Sequence, residues 1–310
     1  SGSSVRFLSL ASHTRHFQLG SSVVAIDYEK LMHWPFKPVE ASYTEKDTIL
    51  YALGVGFGAD PLDEGQLRFI FEEREFVALP TMAAVLGKPG FWLRNPETGV
   101  NWKRVVHGEQ GIALHSPLPT AATILAQTRV TEIIDKGEGG NAMIYTQREL
   151  SNKATGESLA TLSSTTIARG AGGFGGPSVP QQRPHALPER SPDTTCDLPT
   201  VSQAALIYRL SGDPNPLHAD PIVAREAGFN APILHGLCTL GIAGHALLKT
   251  YCNYEPERFK AINVRFSSPV YPGETIRTDM WRDGDAISFR SMVLERNVTV
   301  LNNGRAEVEF

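Results

Sequence analysis

The sequence predicts an α+β protein in which an antiparallel sheet wraps a buried helix, and it predicts that this unit occurs twice. Three observations carry that reading. Leu237–Tyr251 is a run of Leu, Ile, Ala, Gly and Cys with few polar positions and no proline, and a helix that is apolar nearly all round belongs in an interior. Downstream, in Ala286–Glu295, the residues Ile287, Phe289, Ser291 and Val293 fall on one face, the period of two of a strand packed against a core. Ser116-Pro-Leu-Pro-Thr120 and Ser268-Pro-Val-Tyr-Pro-Gly273 lie 152 residues apart, and each precedes two strand-like runs about a turn, which reads as a duplicated unit.

Length agrees with a duplication, because 310 residues correspond to two domains of about 150 each. Residues 1–26 form a polar N-terminal tail or a targeting segment. Arg6, His13, Arg15 and His16 precede the first acid, Asp27, a composition compatible with mitochondrial import. Residues 27–168 form the first unit. Within it Tyr43–Tyr51 is expected as a short helix with Thr44 as N-cap and Asp47 in its first turn. Thr123–Ile134 and Asn141–Arg148 are expected as a hairpin about Gly137-Glu-Gly-Gly140, and Ser158–Ala168 as a further strand. Residues 169–194 are rich in Gly and Pro and read as a linker. Residues 195–310 form the second unit, with the buried helix and a hairpin of Thr275–Trp281 and Ala286–Arg296.

Composition removes several function classes. Apolar residues make up 41% and charged residues 20% of the chain, and no apolar stretch reaches the roughly 18 residues of a membrane span, so membrane insertion is not expected. The net charge is −4 and the basic residues are scattered, which lacks the footprint of a nucleic-acid binder. Cys196, Cys238 and Cys252 have neither the even count of a disulfide framework nor the CxxC spacing of a structural zinc site.

Gly170-Ala-Gly-Gly-Phe-Gly175 matches the glycine spacing of a dinucleotide-binding turn. That chemistry needs a helix to begin there and offer its N-terminus to a pyrophosphate. Pro177, Pro180, Pro184 and Pro188 forbid the helix, so a nucleotide site is rejected.

The segment densest in chemistry is Tyr208-Arg-Leu-Ser-Gly-Asp-Pro-Asn-Pro-Leu-His-Ala-Asp-Pro221. Pro214, Pro216 and Pro221 fix φ and remove donors, so Asp213 to His218 is expected as a rigid turn. A carboxylate and an imidazole held within reach of one water can deprotonate it and return the proton elsewhere. Asn215 adds a neutral amide that can orient the pair or the water. Spacing alone leaves a purely structural turn open, since Asp and Asn bond their own backbone in turns. A zinc site built on His218 and Asp220 lacks further ligands. Pro232-Ile-Leu-His-Gly236 then leads into the buried helix, where free N–H groups can face a developing negative charge and Gly236 permits close approach. Easing entry to the helix is the alternative reading of Gly236, and His235 stays unassigned.

Tyr208–Pro221, Pro232–Thr239 and Phe259–Phe266 resemble the hydratase 2 module of the peroxisomal multifunctional enzymes of type 2, within the MaoC-like dehydratases. The likeness extends to His107-Gly-Glu-Gln110, Asp135-Lys-Gly137 and Gly172-Gly-Phe-Gly-Gly176 and covers most of residues 27–310. It implies a double hot-dog fold, two tandem units each with a helix wrapped by an antiparallel sheet, of which only the second keeps the catalytic loop. It also implies reversible, (3R)-specific hydration of trans-2-enoyl-CoA without metal or other cofactor, CoA being part of the substrate. On this resemblance Asp213 and His218 are the acid/base pair, Asn215 supports them, and Gly236 N–H polarises the thioester carbonyl. Acyl-CoA contacts are implied at His107, Gly108, Lys136 and Phe266. The first unit lacks an Asp-x-Asn-x-x-His of its own, which fits a role in accommodating the acyl chain. The resemblance points to the peroxisome, although Val308-Glu-Phe310 is not the Ser-Lys-Leu address, and it leaves a homodimer open. The rivals are a hot-dog acyl-CoA thioesterase, a non-catalytic acyl-CoA-binding module, and a dehydratase acting on acyl-carrier protein.

Overall fold

The computed structural model describes residues 25–180 and 183–310, so the expected targeting segment lies almost wholly outside the described residues. Its helices are α1 (Tyr28–Met32), α2 (Glu45–Gly54), α3 (Ala204–Tyr208), α4 (Pro221–Glu226) and α5 (Gly236–Tyr251). Its strands are β1 (Val39–Tyr43), β2 (Val105–Leu114), β3 (Ala122–Asp135), β4 (Ala142–Asn152) and β5 (Ser158–Ala168) in the first half. The second half carries β6 (Thr194–Pro199), β7 (Phe259–Phe266), β8 (Thr275–Asp283), β9 (Ala286–Val293) and β10 (Val298–Val308).

All ten strands form one sheet in the order β1-β3-β4-β5-β2-β7-β10-β9-β8-β6. Read inward from each edge, the halves are the same path: β1, β3, β4, β5, β2 on one side and β6, β8, β9, β10, β7 on the other. This is the double hot-dog fold, and it makes the duplication visible as topology. The halves meet where β2 pairs antiparallel with β7, with Ile112 opposite Ile262 and Ala113 opposite Ala261. At that seam Glu109 faces Arg265. Arg265 donates to its carboxylate at 3.1 Å, and Thr165 Oγ1 donates to the other oxygen at 2.9 Å.

Local chemistry accounts for the elements. In α5 every residue from Leu237 to Leu248 is buried, as its all-round apolar composition requires. β7, β8 and β10 wrap one side of it. Pro80–Val85, a 3₁₀ stretch of the first half, packs on the other. In the first half, Tyr43 belongs to β1 and the helix starts at Glu45, two residues later than expected. Asp47 Oδ2 accepts from both Thr44 N and Thr44 Oγ1 at 2.8 Å, an N-terminal cap that satisfies orphan donors. The main core runs through both halves. A smaller one lies on the other face of the first half, where Leu31, Leu93, Val130, Ile133 and Ile144 gather with Trp34 and Trp92.

The glycine-rich segment has a definite structural use. The buried Asp135 carboxylate accepts N–H bonds from Gly137 at 2.8 Å, Gly173 at 2.7 Å and Gly175 at 2.9 Å. Successive backbone N–H groups make an anion-binding concavity, and here the anion is the protein's own. Burial pushes this carboxyl up, but the glycine N–H groups outweigh it and hold Asp135 below the usual carboxylate range. The spacing that imitates a phosphate loop is thus an internal carboxylate cradle.

Candidate active site

The Asp213 loop is shaped by its own residues. Gly212 takes a positive φ of 101° that turns the chain out of α3, and Pro216–His218 forms a single 3₁₀ turn. Asn215 Oδ1 caps that turn, accepting from Leu217 N at 3.1 Å, and Asn215 N lies 3.4 Å from Asp213 Oδ1. The exposed Asn215 therefore spends its carbonyl oxygen on holding the loop.

His218 Nδ1 lies 2.8 Å from the Ile233 carbonyl. A carbonyl only accepts, so Nδ1 carries the proton and Nε2 keeps a lone pair. The His218 ring stacks on His235, with centroids 3.7 Å apart and planes at 28°. His235 is 2% exposed, and its Nε2 donates to the Asp213 backbone carbonyl at 3.2 Å. This histidine, unassigned from sequence, thus touches both arms of the loop. The one signal for it was its position next to Gly236.

Charge states follow from the surroundings. Burial pushes His218 below its ordinary value, against the pull of the Ile233 carbonyl and the Asp213 charge. His235 is pushed down to about 4, first by burial and then by its neighbour His218. Burial raises Asp213, but Lys88, His235 and His218 outweigh it and hold the carboxyl below the usual range. Near neutral pH the site therefore holds a carboxylate beside a neutral imidazole with a free nitrogen. This is a set of bases poised to take a proton from water.

Gly236 is the first residue of α5, so its N–H has no partner within the helix. A Cβ there would lie 3.2 and 3.3 Å from the Phe266 ring, so only glycine leaves the Phe266 ring at its present distance. Phe266 in turn meets His107, with ring centroids 4.7 Å apart. His107 lies at a β-bulge, because the β2–β5 register skips Gly108 between the pairs His107–Thr166 and Glu109–Thr165. Bulges re-aim side chains beside sites, and a Cβ on Gly108 would meet Ile167 at 3.0 Å. The His107 ring bonds Ser164 Oγ through Nε2 at 3.0 Å. Burial, and next the charge of Lys88, keep it below its ordinary value.

Asp213, His218, Gly236, Phe266 and His107 thus form one continuous cluster at the seam between the halves. Lys136 stands apart from it. It is exposed in the turn after β3, and the register Asp135–Ala142–Ala168–Val105 sets that turn three strands from β2, about 14 Å at strand spacing. Lys88, not anticipated from sequence, places its Nζ 3.6 Å from Asp213 Oδ2. Only its Gly-Lys-Pro-Gly setting marked it locally. Among the described residues no group of three His, Cys, Asp or Glu could hold a metal ion, and no helix is long and apolar enough to cross a membrane. All three cysteines are free, with Cys238 and Cys252 buried.

Comparison with known proteins bears on this geometry. Residues 41–170 match the MFE-2 hydratase 2 N-terminal domain, and residues 184–303 match the MaoC like domain. The chain is 36% identical to the probable enoyl-CoA hydratase 2 of Dictyostelium discoideum, over 92% of this chain and 98% of that protein. It is 37% identical to the peroxisomal multifunctional enzyme type 2 of Drosophila melanogaster, over 99% of this chain but 53% of that protein, and so spans about half the fly enzyme. The crystal structure of a MaoC-like dehydratase from Phytophthora capsici superposes with a TM-score of 0.79 at 33% identity, covering 92% of this chain and 98% of that one.

Proposed function

The chain belongs to the hydratase 2 family of MaoC-like dehydratases, and from that premise we propose that it is a (3R)-specific 2-enoyl-CoA hydratase. It adds water reversibly to trans-2-enoyl-CoA and yields (3R)-3-hydroxyacyl-CoA, the hydration step of fatty-acid β-oxidation. One observation carries the chemistry. His218 donates Nδ1–H to the Ile233 carbonyl and keeps a free Nε2, with the Asp213 carboxylate close enough to act on its charge, at the loop preceding the bare N–H of Gly236.

In this reading a water sits between His218 Nε2 and the Asp213 carboxylate. As the pair accepts one proton, the water oxygen bonds to C3, and the electron pair of the C2–C3 double bond moves toward the thioester carbonyl. Gly236 N–H faces the oxygen where that charge develops, an interaction often worth about 3 kcal/mol. The proton held by the pair then passes to C2, so water is consumed and the protein returns to its starting state. Asn215 fixes the loop geometry. In the same reading His107, Gly108 and Phe266 contact the thioester arm, and Lys136, exposed three strands from β2, meets a CoA phosphate.

The substrate is an acyl-CoA, no cofactor enters the proposed chemistry, and the peroxisome is favoured because the Drosophila relative is a peroxisomal enzyme. The test is a stereochemically resolved assay across short, medium and long enoyl-CoAs. Loss of enoyl absorbance with (3R) product and no free thiol is expected. Thiol release would make the chain a thioesterase, and acyl-CoA binding without turnover would make it a binding module. Preference for the acyl-carrier protein thioester would reassign the substrate.

A further inference from the structure

The first half contributes more than room for an acyl chain. The loop of the acid/base pair belongs to the second half, yet the cation nearest its carboxylate is Lys88 of the first. Lys88 Nζ stands 3.6 Å from Asp213 Oδ2, and both side chains are largely withdrawn from solvent, at 24% and 33% exposure.

Lys88 is built into its position. It follows Gly87 and precedes Pro89 and Gly90, and both glycines take positive φ, 59° and 74°. At Gly87 a Cβ would lie 2.3 Å from the Ala126 Cβ on β3, so the turn is seated directly on the sheet and a larger residue would lift it. The preceding 3₁₀ stretch Pro80–Val85 is held by Arg148 of β4, which donates Nη2–H to the Ala84 carbonyl at 2.9 Å. A lysine tip has four rotatable bonds to lose, and ordering it toward one carboxylate needs such a platform.

We propose that Lys88 is a positioning residue for the hydration, a cation supplied by the first half that fixes the Asp213 carboxylate and sets the electrostatics in which the pair works. This rests on the hydratase reading above. The groups around Asp213 come from several elements: Lys88 from its turn, His218 from the same loop, His235 from the residue before α5, His107 from β2 and Tyr208 from α3. Arg148 acts on the cluster through Lys88 and His107. Lys88 pulls the same way on each member of the site, lowering Asp213, His218, His235 and His107 alike. The sign is therefore unambiguous. Without the ammonium the carboxylate and both loop imidazoles take up protons at higher pH, and the pair loses its basic form earlier as pH falls.

The experiment compares kcat/KM against pH for the native chain, Lys88→Met, Lys88→Gln and Lys88→Arg, with a short trans-2-enoyl-CoA. An opposite charge at this distance moves a titration by one unit or more. The acidic limb is therefore expected about one pH unit higher in K88M and K88Q, with kcat on that limb down roughly 10-fold and KM unchanged. K88R keeps the charge and is expected to restore the limb. Titration of the His218 imidazole followed by NMR reads the same point without turnover, and thermal unfolding certifies that each variant is folded. A native limb in folded K88M overturns the proposal, as does an increase confined to KM, which would make Lys88 a substrate contact. An equal displacement in K88M and K88R also overturns it, because charge would not be the cause. If the native chain shows no hydration, the hydratase reading fails, and the NMR titration still decides whether Lys88 controls His218.

Discussion

The two halves of the sheet share a path and differ in what they hang on it. In each, an edge strand leads into a short helix, α2 after β1 and α3 after β6, and these helices meet across the seam through Tyr51 and Tyr208, with ring centroids 5.9 Å apart. Five residues beyond Tyr208 stands Asp213, and five beyond Tyr51 stands Gly56. Before the seam strand the second half has the sixteen-residue α5. At the equivalent point the first half has the six-residue Pro80–Val85, followed by the turn that carries Lys88. The difference teaches that strand pairing can be repeated while the connections diverge, because the ladder needs only backbone groups and an alternating apolar face. One half carries Asp213, His218 and the N-terminus of α5; the other carries Lys88, His107 and the shorter Pro80–Val85 stretch.

The sharpest way to break this division of labour is to move the carboxylate. Asp213→Asn removes a base without changing shape, and a loss of kcat of about 10² to 10⁴ is expected, with acyl-CoA binding kept. His218→Gln should fall in the same range. Gly56→Asp in the D213N background should recover nothing, since Gly56 has φ 88° and lacks the His218 loop. Recovery measured in the hydration assay would show the halves to be interchangeable.

A second test presses the halves apart. A Cβ at Gly241 of α5 would lie 2.5 Å from Val55 Cγ1 and 3.0 Å from Tyr51 Oη, both of the first half. Overpacking of this kind costs about 1–3 kcal/mol and exceeds the roughly 1 kcal/mol that alanine contributes to a helix. Gly241→Ala should therefore lower the urea midpoint, and an unchanged midpoint would show a seam loose enough to give way.

The Asp135 cradle is found in the first half, and Asp135→Asn should cost about 1–2 kcal/mol at neutral pH by urea unfolding. The glycine N–H groups, overcoming burial, hold the Asp135 carboxyl below its unfolded value. Its contribution is therefore complete above the unfolded carboxyl range, near 3.9, and is lost as pH falls through the folded value. The gap between native and variant should narrow below about pH 4; a constant gap would mean that the carboxylate's charge is not what the loop binds.

The smallest contrast concerns the edges. Near β1, Lys153 meets Glu40 across an exposed contact of 2.6 Å, and at β6 Arg277 grips Asp197 through two bonds of 2.7 Å. Both are surface pairs, so Lys153→Ala should move stability by less than about 0.5 kcal/mol. Arg277→Ala should cost slightly more, because the bidentate fork is better organised. A difference above about 1 kcal/mol in thermal unfolding would show that one edge is more critical.

Much of this molecule is legible locally. α5 could be read because its composition is apolar on every face, β9 because Ile287, Phe289, Ser291 and Val293 alternate along it, and the Asp213 turn because prolines forbid a helix. β1, β2, β6, β7 and β10 were not singled out as strands. β10 runs through Asn302, Asn303 and Gly304, where the register with β7 and β9 shifts, and such a bulge breaks the alternation that marks a strand.

By itself the sequence determined the buried helix, five of the ten strands, the duplication and the turn at Asp213, since these depend on neighbours a few residues apart. The tertiary structure alone decided that β2 would join β7, that Gly173 and Gly175 would hold Asp135, and that Lys88 and His107 would reach a loop more than a hundred residues downstream. Periodicity and turn chemistry act along the chain. Partners across the seam are chosen by closure of the sheet and packing of α5, and no local pattern records that choice.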